Sequence, residues 1–178
     1  MQQWISLLLI AVFLLAATGC VQQTTPPELP VTFYYLAADT VYDGESTVLH
    51  KEIRDAAEYE SDLVGLLDLY LKGPVSETFR SPFPRGVTVT RYAATTNMIN
   101  LELSSEFAQL SGINLTLACA CLANTLFDLT ELERVQILVT DAQLDGQTSI
   151  TLDRDDILYW DNSSPADETT LPADTSGN

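Results

Sequence analysis

The sequence predicts an α+β domain: a small mixed β-sheet with two helices packed on one face, in the order β-α-β-β-α-β. Three observations lead there. The apolar periodicity switches repeatedly between alternation and the roughly 3.6-residue helical repeat. Both helix candidates are apolar along one side only, so a sheet face is needed to cover them. The strand candidates are short and rich in β-branched and aromatic residues, and the chain shows no internal repeat.

The first strand is "VTFYYLA" at 31–37. The segment "STVLHKEIRDA" at 46–56 is ambiguous. It reads as a strand around Val48–Ile53 or as an extended lead into a helix. "SDLVGLLDLYLKGP" at 61–74 is a helix, because Leu63, Leu66, Leu67, Tyr70 and Leu71 form one apolar stripe. Ser61 or Asp62 can cap its start, and Gly73 followed by Pro74 stops it. A prolyl loop, "VSETFRSPFPRG", follows at 75–86.

Two strands come next within 87–103. Val87 and Val89 share a face, but Arg91 falls on that same face, which predicts a bulge or a wet end. Ile99, Leu101 and Leu103 share a face of the partner strand, with Thr95-Thr96-Asn97 as the turn. "NLTLACACLANTLFDL" at 114–129 is the second helix. Leu115, Ala118, Cys119, Leu122, Leu126 and Leu129 make its stripe, and Cys121 lies on the flank. "RVQILVT" at 134–140 is a buried strand. Asp145-Gly146 marks a turn, and "TSITL" at 148–152 reads as a short edge strand.

The ends carry address information. The apolar run Leu7–Ala17 is eleven residues long, about half of what the ~30 Å hydrocarbon core requires of a helix. Its length suits a signal peptide, with Ala17-Thr18-Gly19 as the small residues at the cut. Cys20 directly after them resembles the bacterial lipobox, which implies diacylation of Cys20 and cleavage after Gly19. The chain then divides into a leader at 1–19, a tether at 20–30 containing Pro26-Pro27, a domain at 31–160 and an acidic tail at 161–178. That tail has four acids and no base, and its composition cannot bury enough surface to order itself. Two acyl chains would hold the domain firmly at the membrane face.

With 8 Lys and Arg against 25 Asp and Glu, the net charge is −17. No basic face can be assembled for nucleic acid, and direct adhesion to anionic lipid is disfavoured. Candidates for chemistry are few. His50 is the lone histidine, so any Ser-His-Asp or Cys-His arrangement would have to use it. Cys119 and Cys121 sit two positions apart on a helix and point to opposite sides. They cannot bond to each other and are expected to be buried apolar groups. The acids Asp55/Glu58, Glu131/Glu133 and Asp153/Asp155/Asp156 read as a solvated face. "DRDDI" lacks the glycine and the terminal Glu of a calcium loop. No catalytic residue, metal site, cofactor or small-molecule substrate is therefore expected. The prolyl loop carries Phe79, Arg80, Phe83 and Arg85, residue types suited to an interface. The bland alternative is that both rings fold back over the helix end.

Several phrases in their order resemble the GerM domain of spore germination and sporulation lipoproteins. They are the aromatic strand "VTFYYLA", the segment "VLHKEIR", the helix end and loop "LYLKGPVSETFRSPFPRGVTV", "INLELSSEF" and "ANTLFDLTELERVQILV". The resemblance implies a compact α+β unit like the ring-building modules of sporulation channels. It also implies a scaffold role at the membrane without catalysis, with envelope or sporulation proteins as partners. The alternative function is a surface lipoprotein that binds a small molecule, glycan or cation through its acidic surface.

Overall fold

A computed structural model describes residues 27–38 and 48–156. Cys20, the leader, most of the tether and the tail lie outside the described residues. The domain is α+β, and its strands divide between two sheets. In chain order the elements are β1 (Pro30–Ala37), β2 (Leu49–Asp55), α1 (Leu63–Leu71), β3 (Phe79–Arg80), β4 (Val89–Ala94), β5 (Met98–Leu103), α2 (Gly112–Leu129), β6 (Arg134–Val139) and β7 (Ser149–Asp153). The first sheet is antiparallel in the order β2-β1-β3. The second runs β4-β5-β6-β7, with β5 parallel to β6 and both outer pairs antiparallel. α2 is the crossover that the parallel pair requires.

The ambiguous segment is thus a strand, and the prolyl loop contains a two-residue strand, β3, that the alternation alone did not reveal. β3 exists because β1 offers Leu36 and Ala37 to pair with Arg80 and Phe79. The expected irregularity near Arg91 is present as a register shift between Val89 and Arg91. Asp62 caps α1 by accepting from the Gly65 N–H at 2.9 Å. Gly73 ends it at φ +101°, a conformation that glycine adopts without a Cβ penalty.

α2 departs from the one-sided reading. Ten of its residues are buried, including every position from Cys121 to Phe127. It packs against β1 as well as β6 and β7, so the stretch 121–127 has no solvent face. This also closes the free side of β1. The Tyr34 N–H donates to Thr125 Oγ1 at 3.0 Å, and the Tyr34 C=O accepts from the Tyr70 hydroxyl at 2.8 Å. Two backbone groups that would be orphaned at a buried edge are satisfied by side chains from both helices.

The termini of α2 are held from outside the helix. The Gly112 N–H donates to Asp145 Oδ2 at 2.8 Å, placing a carboxylate at the positive end of the helix. At the other end Arg154 donates to the carbonyls of Phe127, Thr130 and Leu132 at 2.8, 3.0 and 2.8 Å. Its guanidinium also lies 4.8 Å from the Phe127 ring centre. Removing this cap in Arg154→Ala should lower the unfolding free energy by about 2 kcal/mol, measured by urea denaturation.

Candidate functional site

The "LKGPVS" turn after α1 is held by a buried ion pair on β2. Glu52 and Arg54 are two residues apart, so they share the face of β2 that covers Phe33 and Tyr35. Arg54 Nε donates to Glu52 Oε1. Its outer nitrogen donates to the Gly73 carbonyl at 2.6 Å and to the Tyr35 hydroxyl at 3.2 Å. Glu52 in turn accepts from the backbone N–H groups of Val75 and Ser76, each at 3.1 Å. Burial acts to raise the Glu52 carboxyl, but the Ser76 and Val75 N–H groups and Arg54 outweigh it and hold it below the ordinary glutamate range. The Tyr35 hydroxyl donates to the Tyr70 carbonyl at 2.8 Å, tying the last turn of α1 into the same network.

This clamp was the feature sequence reasoning missed. "LHKEIRD" places charge on both strand faces, so alternation does not indicate which face turns inward. The available signal was the pairing of Glu52 and Arg54 on one face just ahead of a helix ending in Gly-Pro.

The four loop residues separate. Phe83 is 8 % exposed. Its ring meets Tyr70 edge-on at 5.2 Å and lies 6.3 Å from Phe107, so it anchors the loop to the core and has little surface to offer. Phe79 is half-buried and stacks on His50 with ring centres 5.5 Å apart. Arg80 and Arg85 are exposed. The loop therefore presents two guanidinium groups and part of one ring.

The chemically capable side chains have structural neighbours. The His50 imidazole lies flat against Phe79, and its Nε2 has no hydrogen-bond partner among the described residues. Cys119 and Cys121 are free and buried. Burial pushes both thiols up to about 12, with Arg80 opposing this slightly at Cys121. Such thiols are protonated and inert at neutral pH. Asp153 pairs with Arg134. Glu131, Glu133 and Asp155 are exposed. No group of three His, Cys, Asp or Glu suited to a metal occurs among the described residues.

A family model described as "Germane: Sporulation and spore germination" matches residues 32–145. No curated protein matches the chain. Its fold is similar to that of solved structures that include the following two. The first GerMN domain of the sporulation protein GerM from Bacillus subtilis is 21 % identical, with a TM-score of 0.53 over 71 % of this chain and 99 % of that one. The tandem GerMN domains of the same protein give 18 % identity and a TM-score of 0.51 over 68 % of this chain. The match spans 43 % of the tandem structure.

Proposed function

The chain belongs to the Germane family of sporulation and spore germination, whose model covers residues 32–145, and we propose from that premise that it is a membrane-tethered protein-binding domain of the cell envelope. Cys20 is the attachment point. Acylated there, the chain would sit outside the cytoplasm on a tether about ten residues long, close enough to assemble with neighbouring envelope or sporulation proteins.

One observation carries the binding role over an enzymatic one. The thiols, the imidazole and the buried carboxylate are already engaged in the fold. The two thiols are buried, the imidazole lies against Phe79, and the buried carboxylate of Glu52 is matched by Arg54 and two backbone N–H groups. The remaining features suit contact with another protein. Arg80 and Arg85 stand exposed on a loop that Phe83 and the Glu52–Arg54 pair hold in place, with Phe79 half-buried beside them. A preordered loop loses less entropy on binding than a floppy one.

Anchoring is tested by Cys20→Ala. The variant should move from the membrane to the soluble fraction and lose incorporation of labelled palmitate. Retention in the membrane, together with an unlabelled wild type, would remove the lipid anchor from the proposal.

A further inference from the structure

We propose that the outer edge of β2 and the groove beside it receive an extended, basic segment of a partner protein as an added strand. This rests on the protein-binding reading above and names the surface and the chemistry of what docks there.

β2 is the terminal strand of its sheet. Tyr34 lies opposite Lys51 in the antiparallel register, yet its own N–H and C=O are directed away from β2, toward Thr125 and Tyr70. Hydrogen-bonded and non-bonded pairs alternate along such a ladder. Lys51, and Ile53 two positions on, therefore belong to non-bonded pairs, and their N–H and C=O groups face outward. Opposite Thr32 in the β1–β2 ladder, Ile53 makes no backbone hydrogen bond outside that ladder among the described residues. An exposed row of this kind is a template for another strand.

Beside this edge lies a groove of about 590 Å³, with Ile53, Tyr59, Leu69 and Val75 as its apolar lining. Ile53 is 66 % exposed and Val75 79 %, so two large aliphatic side chains face solvent along the path an added strand would take. The acids of the rim define the partner. Glu52 and Arg54 in the groove satisfy each other. Glu58 and Asp55 also line it; the Asp55 carboxylate accepts from the Glu28, Leu29 and Ala57 N–H groups, and neither acid has a basic partner among the described residues. Alternating side chains of an added strand would place apolar groups in the groove and Lys or Arg toward these acids. A second copy of this chain is the wrong occupant on charge grounds, since each copy carries −17 and the copies repel.

The test titrates the full chain in detergent with a labelled peptide of sequence Lys-Val-Lys-Val-Lys-Val-Lys, read by fluorescence anisotropy. Its twin, N-methylated at alternate residues, keeps the charge and side chains but loses backbone donors. The unmodified peptide should bind at least ten-fold tighter than the twin. Ile53→Pro removes an outward N–H while sparing the β1–β2 ladder, and it should weaken binding ten-fold or more. Val75→Asn alters an exposed side chain only and should weaken it three-fold or more, which covers the case in which the proline variant fails to fold. Equal binding of the two peptides, or wild-type affinity in both variants, would overturn the proposal. So would a wild-type dimer in sedimentation that Val75→Asn dissociates, because the groove would then belong to a second copy. Cross-linking in cells separates the two levels of the argument. Envelope partners captured equally by the wild type and both variants would reject the groove and leave the protein-binding reading standing. Failure of the wild type to capture any envelope protein would remove both.

Discussion

Arg54→Ala should lower the unfolding free energy by roughly 3–5 kcal/mol, the usual loss when one partner of a buried ion pair is removed. Against the ~5–15 kcal/mol that holds a domain of this size together, that is enough to leave much of it unfolded. Arg54 and Glu52 each have side chains 10 % exposed. Without the guanidinium, the Glu52 carboxylate stays buried with only the Val75 and Ser76 N–H groups, and the Gly73 carbonyl loses its donor. Urea unfolding of the variant measures the loss, and a change under about 1 kcal/mol would mean that the pair is dispensable. The pH dependence follows the same pair. The folded Glu52 carboxyl is held below its unfolded value, which is about 4.3. Its contribution is therefore complete above the unfolded value and is lost as pH falls through the folded one. Glu52→Gln should flatten that acid limb, while stability near neutrality falls because the Arg54 charge is left unpaired.

Phe83→Ala should cost about 3 kcal/mol, at the lower end for a buried phenylalanine because the ring lies near the surface. The space it leaves would be bordered by Tyr70 and Phe107. Arg85→Ala, on the same loop and exposed, should change stability by less than about 0.5 kcal/mol. Thermal or urea unfolding of both variants reads the contrast directly. It also bears on any binding experiment. Lost partner capture in Phe83→Ala would report a loosened loop, whereas the same loss in Arg80→Ala or Arg85→Ala with the fold intact would report a contact. If Phe83→Ala leaves the unfolding midpoint unchanged, the ring is not the anchor described above.

Much of the fold was legible because local patterns and the tertiary arrangement agree. The α1 stripe, its Asp62 cap and its Gly73 stop all operate within a few residues of one another, so the sequence carries them whole. The Thr95–Met98 turn and the irregularity at Arg91 are local in the same sense. The candidate loop was legible in composition only. Phe79, Arg80, Phe83 and Arg85 look alike as interface residues until their surroundings are known. Phe83 then enters the core beside Tyr70, a residue on another element, while Arg80 and Arg85 remain outside.

By itself the sequence determined the α+β class, the two helices, the edge strand "TSITL", the strong negative charge and the absence of a basic face for nucleic acid. Each follows from spacing or composition along the chain. Only the tertiary structure decided which face of β2 turns inward. Ile53 is left in solvent while Glu52 is buried and Arg54 mostly covered, the reverse of what hydrophobicity alone would choose, because the turn after α1 brings the Gly73 carbonyl and the Val75 and Ser76 N–H groups to meet them. Only the tertiary structure decided that α2 is enclosed by two sheets, so that Cys121 is as buried as Cys119. The physical reason is the same in both cases. Burial of a polar or small side chain depends on partners dozens of residues away, and no periodicity within a single segment records them.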